Sequence, residues 1–189
     1  MESKPRCWWC GTDALYCDYH DNEWGVPLHD ENRLFEMLIL EGFQAGLSWI
    51  TILRKRENFR KAFKKFDPKK VAKFTKTEIA RLMKDEGIVR NRLKIEAAIT
   101  NAKAFLEVQK EFGSFDKYIW QFTNNQTLRD PQGMTKARIR PTSPESDKLS
   151  KDLKARGFKF VGSTIIYAHM QATGMVDDHV EGCWKYVKR

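Results

Sequence analysis

A single carboxylate, Glu41, interrupts the apolar run LILEGFQAGLSW, and the aromatic residues Trp8, Trp9, Tyr16, Tyr19, Trp24, Phe43 and Trp49 lie within the same first fifty. A carboxylate among apolar neighbours must be paired, reach solvent or face a polar cavity. Aromatic walls around one carboxylate suit a flat, cationic, hydrogen-bonding ligand, by stacking, cation–π attraction and acceptance from an exocyclic amine. The bland alternatives are an aromatic core and a glutamate bonded to the nearby helix end.

A second set of residues has metal-ligand chemistry. Cys7, Cys10, Cys17 and His20 lie near one end of the chain, and His179 and Cys183 near the other. Thiolate and imidazole suit tetrahedral zinc, and four protein ligands leave no open position, so such a site is structural. The last two are spaced to face the same way on a helical turn. Cys7-x-x-Cys10 forms a natural pair, Cys7 with His20 is an equal alternative, and buried free cysteines with a surface histidine remain the non-metal reading. Four cysteines without a signal peptide are too few for a disulfide scaffold.

A third set is basic. Lys84 to Lys94 reads KDEGIVRNRLK between two expected helices. A helix, a turn containing Gly87 and Val89, and a second helix with a basic first turn make a phosphate cradle, since backbone N–H groups and the helix dipole there favour an anion. Arg90, Arg92 and Lys94 add charge. The pattern resembles a helix-hairpin-helix DNA-binding element near 78–98, which holds backbone phosphate without reading bases. An ordinary glycine-broken helical corner has the same signature.

Helical signals dominate the elements that must position these groups. Asp30 is an N-cap for a helix placing Leu34, Met37, Leu38 and Glu41 on neighbouring turns. Further helices are expected from Ser48, from Asp67-Pro68, from Thr75 or Thr77 up to Gly87, through Leu93 to Leu106, after Ser114, over Ser146–Arg156 and over Ser163–Gly174. Residues 124–144 read as an extended loop. No sustained period-2 alternation, repeat or linker is present, so the class is all-α in one domain over 1–189.

The 189 residues carry 34 Lys and Arg against 25 Asp and Glu, a net charge of +9 that favours polyanionic partners. No apolar run is long enough for a membrane span, and the amino terminus lacks a signal-peptide core, so a cytoplasmic protein is expected. Nothing in the pattern calls for an obligate oligomer, and a monomer is expected.

Five strings then add a resemblance: YHDNEWGVP, LEGFQAGLSWITIL, KRENFR, RGFKFVG and DDHVEGC. In this order, from about Arg6 to Cys183, they closely resemble the DNA-3-methyladenine glycosylase I family of the helix-hairpin-helix glycosylases. The resemblance implies a monofunctional enzyme that flips out and hydrolytically removes 3-methyladenine from alkylated double-stranded DNA, leaving an abasic site. It implies a structural Zn2+ held by Cys7, His20, His179 and Cys183, tying 7–20 to 179–183, with Cys10 and Cys17 as bystanders. It further implies base recognition by Glu41 within a pocket of Trp9, Tyr16, Tyr19, Trp24 and Trp49. Gln44, Gly46 and Leu47 fall in the loop that fills the gap left by the extruded nucleotide, and Phe43 stands where the pattern has a polar residue. The alternative from another class is a non-catalytic, zinc-stabilised module that binds DNA lesions.

Overall fold

Capping side chains set most of the helix starts. Asp13 accepts from the backbone N–H of Tyr16 to open α1 (Ala14–Asn22), and Asp30 from that of Arg33 to open α2 (Glu31–Gln44). Ser48 precedes α3 (Trp49–Ala62), and Asp67 with Pro68 at the first position opens α4 (Pro68–Val71). Thr75 and Glu78 form a capping box on α5 (Lys76–Leu82), and Asn91 caps α6 (Arg92–Phe112). Ser114 caps α7 (Phe115–Trp120), Ser143 caps α8 (Pro144–Ala155), and Gly162 precedes α9 (Ser163–Ala172). The computed structural model describes residues 4–187. Among these the class is all-α, and the only β-type pairing is an isolated parallel bridge between Leu128 and Val176.

Three local expectations differ from the structure. α1 was not anticipated, because its polar and aromatic residues carry little amphipathic signal. Pro144 belongs to α8 as its first residue, not to the preceding loop, since Ser143 rather than Ser146 is the cap. His179 and Cys183 do not share a helical turn. They lie in an irregular segment where Gly182 takes a positive φ of 85° and the Cys183 N–H donates to the Val180 carbonyl at 3.0 Å.

α2 is the centre of the molecule and packs against α3, α6, α7 and α9. Every residue from Leu34 to Phe43 is buried, so the helix is enclosed well beyond its apolar stripe. Phe35, Phe59, Phe63, Phe66, Phe105 and Phe115 are fully buried around it, each contributing about 1.5–3 kcal/mol by removal from water. The enclosed Glu36 is satisfied from α3: Arg60 Nε donates to it at 3.1 Å and Arg56 Nε more closely. Arg56 also reaches Glu23 at 2.8 Å, locking α3 to both α2 and the end of α1.

The chain ends meet beside α1. Arg6 pairs with Asp21 at 2.7 Å, the Trp184 N–H donates to the Pro5 carbonyl at 2.8 Å, and Lys185 Nζ reaches the Asp21 carbonyl at 3.0 Å. The segment after α1 packs on Gly174, whose φ is +70° and where a Cβ would stand 2.3 Å from the backbone of Val26 and Pro27. Gly174→Ala should therefore lower stability by about 3 kcal/mol or more in urea unfolding. Gly157→Ala, at φ +89° with nothing within 4 Å of the added carbon, should cost only about 1–2 kcal/mol.

Candidate active site

The turn between α2 and α3 brings Glu41, Gln44 and Trp49 to one wall of a cavity of about 280 Å³. Trp9, Tyr16, Tyr19 and Trp24, from α1 and the segments flanking it, complete the aromatic wall. Ring centroids are 4.9 Å apart for Trp9 and Trp24, 5.0 Å for Trp9 and Tyr16, and 5.4 Å for Tyr19 and Trp49. All six residues expected to recognise a ligand, Glu41 included, thus share one cavity. It also takes in Trp8, one of the aromatic residues of the amino-terminal set, and four residues outside the expected site. Trp8 and Ile139 are exposed at its rim, and Ala168, Gln171 and Asp178 come from α9 and the segment after it. Asp178 lies in DDHVEGC, one of the strings that carry the family resemblance, whereas Ile139 sits in a proline-marked loop and carries no signal.

Glu41 is 4% exposed and receives no hydrogen bond from any described residue. Burial alone pushes its carboxyl up to about 8, so an empty pocket holds it protonated at neutral pH. Burial likewise raises Tyr19 and Tyr16, and the nearby Glu41 adds to both. The Trp49 indole N–H is buried with no partner. A buried acceptor and a buried donor, both unsatisfied within the protein, are what a polar, planar ligand would complete.

Cys7, His20 and Cys183 place their ligand atoms within 4.8 Å of one another, all buried. Cys183 Sγ is 3.4 Å from His20 Nε2. His179 lies outside that mutual distance, with its ring centroid 5.1 Å from that of His20 and its Nε2 buried without a partner. Each imidazole turns its Nδ1 to an aspartate, His20 to Asp21 at 2.8 Å and His179 to Asp177 at 2.7 Å. Carboxylates in that position fix ring orientation, and the His20 Nε2 so placed accepts from the Cys7 backbone N–H at 3.3 Å. Burial pushes the Cys7 thiol up to about 12, an unfavourable setting for a thiolate unless a cation stabilises it. Cys10 donates to the Cys7 carbonyl at 3.2 Å and Cys17 to that of Gly11 at 3.5 Å, so neither joins the cluster.

The basic turn between α5 and α6 forms a separate surface. Arg90 and Arg92 are exposed, with only loose contacts to Glu86 and Glu96 at 3.3 and 3.5 Å. Gly87 is closely packed, since a Cβ there would lie 3.0 Å from the Asn58 side chain and oblige it to shift. Val89 is half-buried against the core. Lys94 departs from the expected phosphate contact. It is buried, and its ammonium donates to the carbonyls of Phe43 at 2.9 Å and Ala45 at 2.6 Å, satisfying the C-terminal end of α2. Gly46, at φ +81°, and Leu47, 41% exposed, follow directly in the turn at the pocket edge.

A helical fold whose central helix delivers a carboxylate into an aromatic cavity defines a small-ligand site beside a basic surface. The chain belongs to the methyladenine glycosylase family, whose model matches residues 9–186, and is therefore an enzyme of the glycosylase class. It is 52% identical to DNA-3-methyladenine glycosylase 1 of Escherichia coli (strain K12), over 96% of each chain. A crystal structure of 3-methyladenine DNA glycosylase I superposes with a TM-score of 0.93 at 49% identity, covering 96% of this chain and all of that one. The structure that describes 3-methyladenine recognition by the Staphylococcus aureus glycosylase I gives 0.92 at 38% identity, covering 97% of each.

The raised carboxyl of Glu41 has a consequence for stability. In the unfolded chain it ionises near 4.5, in the fold only near 8, so the folded state loses stability as pH rises across that interval and shows the full penalty above it. Glu41→Gln removes the penalty. Its urea midpoint should match the wild type below pH 4.5, exceed it increasingly up to pH 8, and keep a constant advantage beyond.

Proposed function

We propose that the protein removes 3-methyladenine from alkylated double-stranded DNA by flipping the damaged nucleotide into the Glu41 cavity and hydrolysing its glycosidic bond. The observation that carries this reading is a buried carboxyl with no partner inside a cavity walled by aromatic rings. Methylation at N3 makes the base cationic, so it gains from cation–π attraction to the rings and from the ionised form of Glu41, which its charge favours. Glu41 accepts from the exocyclic amine, and the Trp49 N–H on the same wall is a buried donor without a partner among the described residues. Neutral adenine gains little from either and costs more to unstack.

The cationic base is already a good leaving group, so the protein's task is to bind, orient and desolvate it rather than to supply a strong acid. No lysine lines the cavity among the described residues, and the buried Lys94 is committed to the α2 carbonyls. A Schiff-base route to strand cleavage has no amine, and the product is an abasic site. Arg90 and Arg92, at the start of α6, hold a backbone phosphate, with Gly87 and Val89 shaping the turn, while Gln44, Gly46 and Leu47 present the edge that enters the vacated stack. Wild-type protein should release 3-methyladenine from methylated duplex DNA, read by chromatography, without nicking the strand. Glu41→Gln should reduce release by about a hundredfold or more. Binding of the DNA with no base freed would refute the catalytic reading.

Cys7, His20, His179 and Cys183 would hold a Zn2+ ion. The orphaned His179 Nε2, the two aspartate-backed imidazoles and the buried thiols fit that ion. A four-ligand zinc is structural and would tie residues 7–20 to 179–183. Metal analysis should find about one zinc per chain, and Cys183→Ser should lose it together with about 3 kcal/mol or more of stability. Full stability without metal would remove zinc from the account.

A further inference from the structure

The cavity has a second carboxylate that base recognition does not use. Asp178 is 6% exposed and lines the wall formed by α9, with Gln171 and Ala168. Its Oδ2 accepts from both Tyr167 Oη and Gln171 Nε2, each at 2.7 Å. Its Oδ1 is buried with no hydrogen-bond partner among the described residues. If Asp178 served only to anchor α9, Oδ2 would suffice, and a second buried, unpaired oxygen would be costly to retain. The nearest cation in its network, Arg140, reaches it only through Tyr167, where Arg140 Nε meets the hydroxyl at 3.1 Å, and is itself partly solvated. The neighbouring Arg129 and His179 are turned to Asp177. No described cation therefore pairs directly with Asp178 where it faces the cavity.

We propose that Asp178 is a specificity-determining residue whose fixed negative field favours the positively charged substrate and transition state over neutral base. The inference rests on the glycosylase reading above. In that reaction the C1′–N9 bond breaks with its electron pair going to the base, which departs neutral. The positive charge passes to the sugar, and water adds at C1′ and gives its proton to solvent. The total charge in the site thus stays positive until the base has left and disappears in the product. A buried anion stabilises every state up to that point and contributes nothing to holding the neutral product. Glu41, which touches the base, serves both.

The test compares wild type, Asp178→Asn and Tyr167→Phe in single-turnover excision from methylated duplex at enzyme concentrations below saturation, where binding of the cationic base counts in the rate, and in calorimetric binding of free 3-methyladenine. Asp178→Asn should slow excision about tenfold or more while free-base affinity moves less than twofold and zinc content is retained. Tyr167→Phe, which keeps the charge, should stay within about threefold in both. Excision by Asp178→Asn at the wild-type rate, or a loss matched in free-base affinity or zinc, overturns the proposal. Should Asp178→Asn fail to fold, duplexes carrying a pyrrolidine (cationic) or tetrahydrofuran (neutral) abasic mimic decide. A preference of about tenfold for the cation that persists in Glu41→Gln supports the field, and equal binding overturns it. Wild type that frees no base at all would instead sink the glycosylase reading.

Discussion

A carboxyl group held in an apolar cavity without a partner is unstable by itself, and much of this fold can be understood as what keeps Glu41 there. The group sits near the C-terminal end of α2, the helix enclosed by four others. Helix burial on that scale fixes the backbone so firmly that the side chain cannot escape to solvent by a small shift. The stability given up at Glu41 is offset by the aromatic and aliphatic packing along the rest of the helix. The other buried acid of α2, Glu36, shows the contrast. It is held by two arginines from α3 and serves to join helices, whereas Glu41 is left unsatisfied and is available to a ligand.

The same helix end joins the cavity to the basic surface. The last carbonyls of α2 need donors, and Lys94 of α6 supplies them from one turn inside the helix that follows the basic hairpin. A residue with the composition of a phosphate contact thereby becomes a strut between the hairpin and the turn bearing Gln44, Gly46 and Leu47. Two short hydrogen bonds therefore tie the turn between α5 and α6 to the cavity edge. Arg90 and Arg92 keep their charge on the outside because their only partners are weak and exposed.

The chain ends perform a third task. α1 carries His20 on one face and Tyr16 and Tyr19 toward the cavity, so whatever fixes α1 also fixes half of the aromatic wall. The Arg6–Asp21 pair, the contacts of Trp184 and Lys185 and the cluster of Cys7, His20 and Cys183 all act on this helix. Closure of the termini and shape of the site are consequently one mechanical problem, which accounts for a dense set of buried polar groups far from the centre of the core.

The sequence by itself determined the helical class, the caps at Asp30, Asp67, Thr75 or Thr77 and Ser114, and the residue types of the aromatic cavity. These depend on local backbone chemistry and on an ordered set of strings long enough to specify a family. It also brought together Cys7, His20 and Cys183 as ligand types; spacing alone left the amino-terminal cysteine open, and the family resemblance pointed to Cys7. The structure agrees, because the turn there sends Cys10 and Cys17 to backbone carbonyls. Only the tertiary structure decided that Lys94 is buried, that His179 and Cys183 approach along an irregular segment, and that Asp178 joins the cavity wall. Each of these depends on contacts between residues distant in the chain, where a side chain's role follows from which unsatisfied group it meets rather than from its own type or spacing.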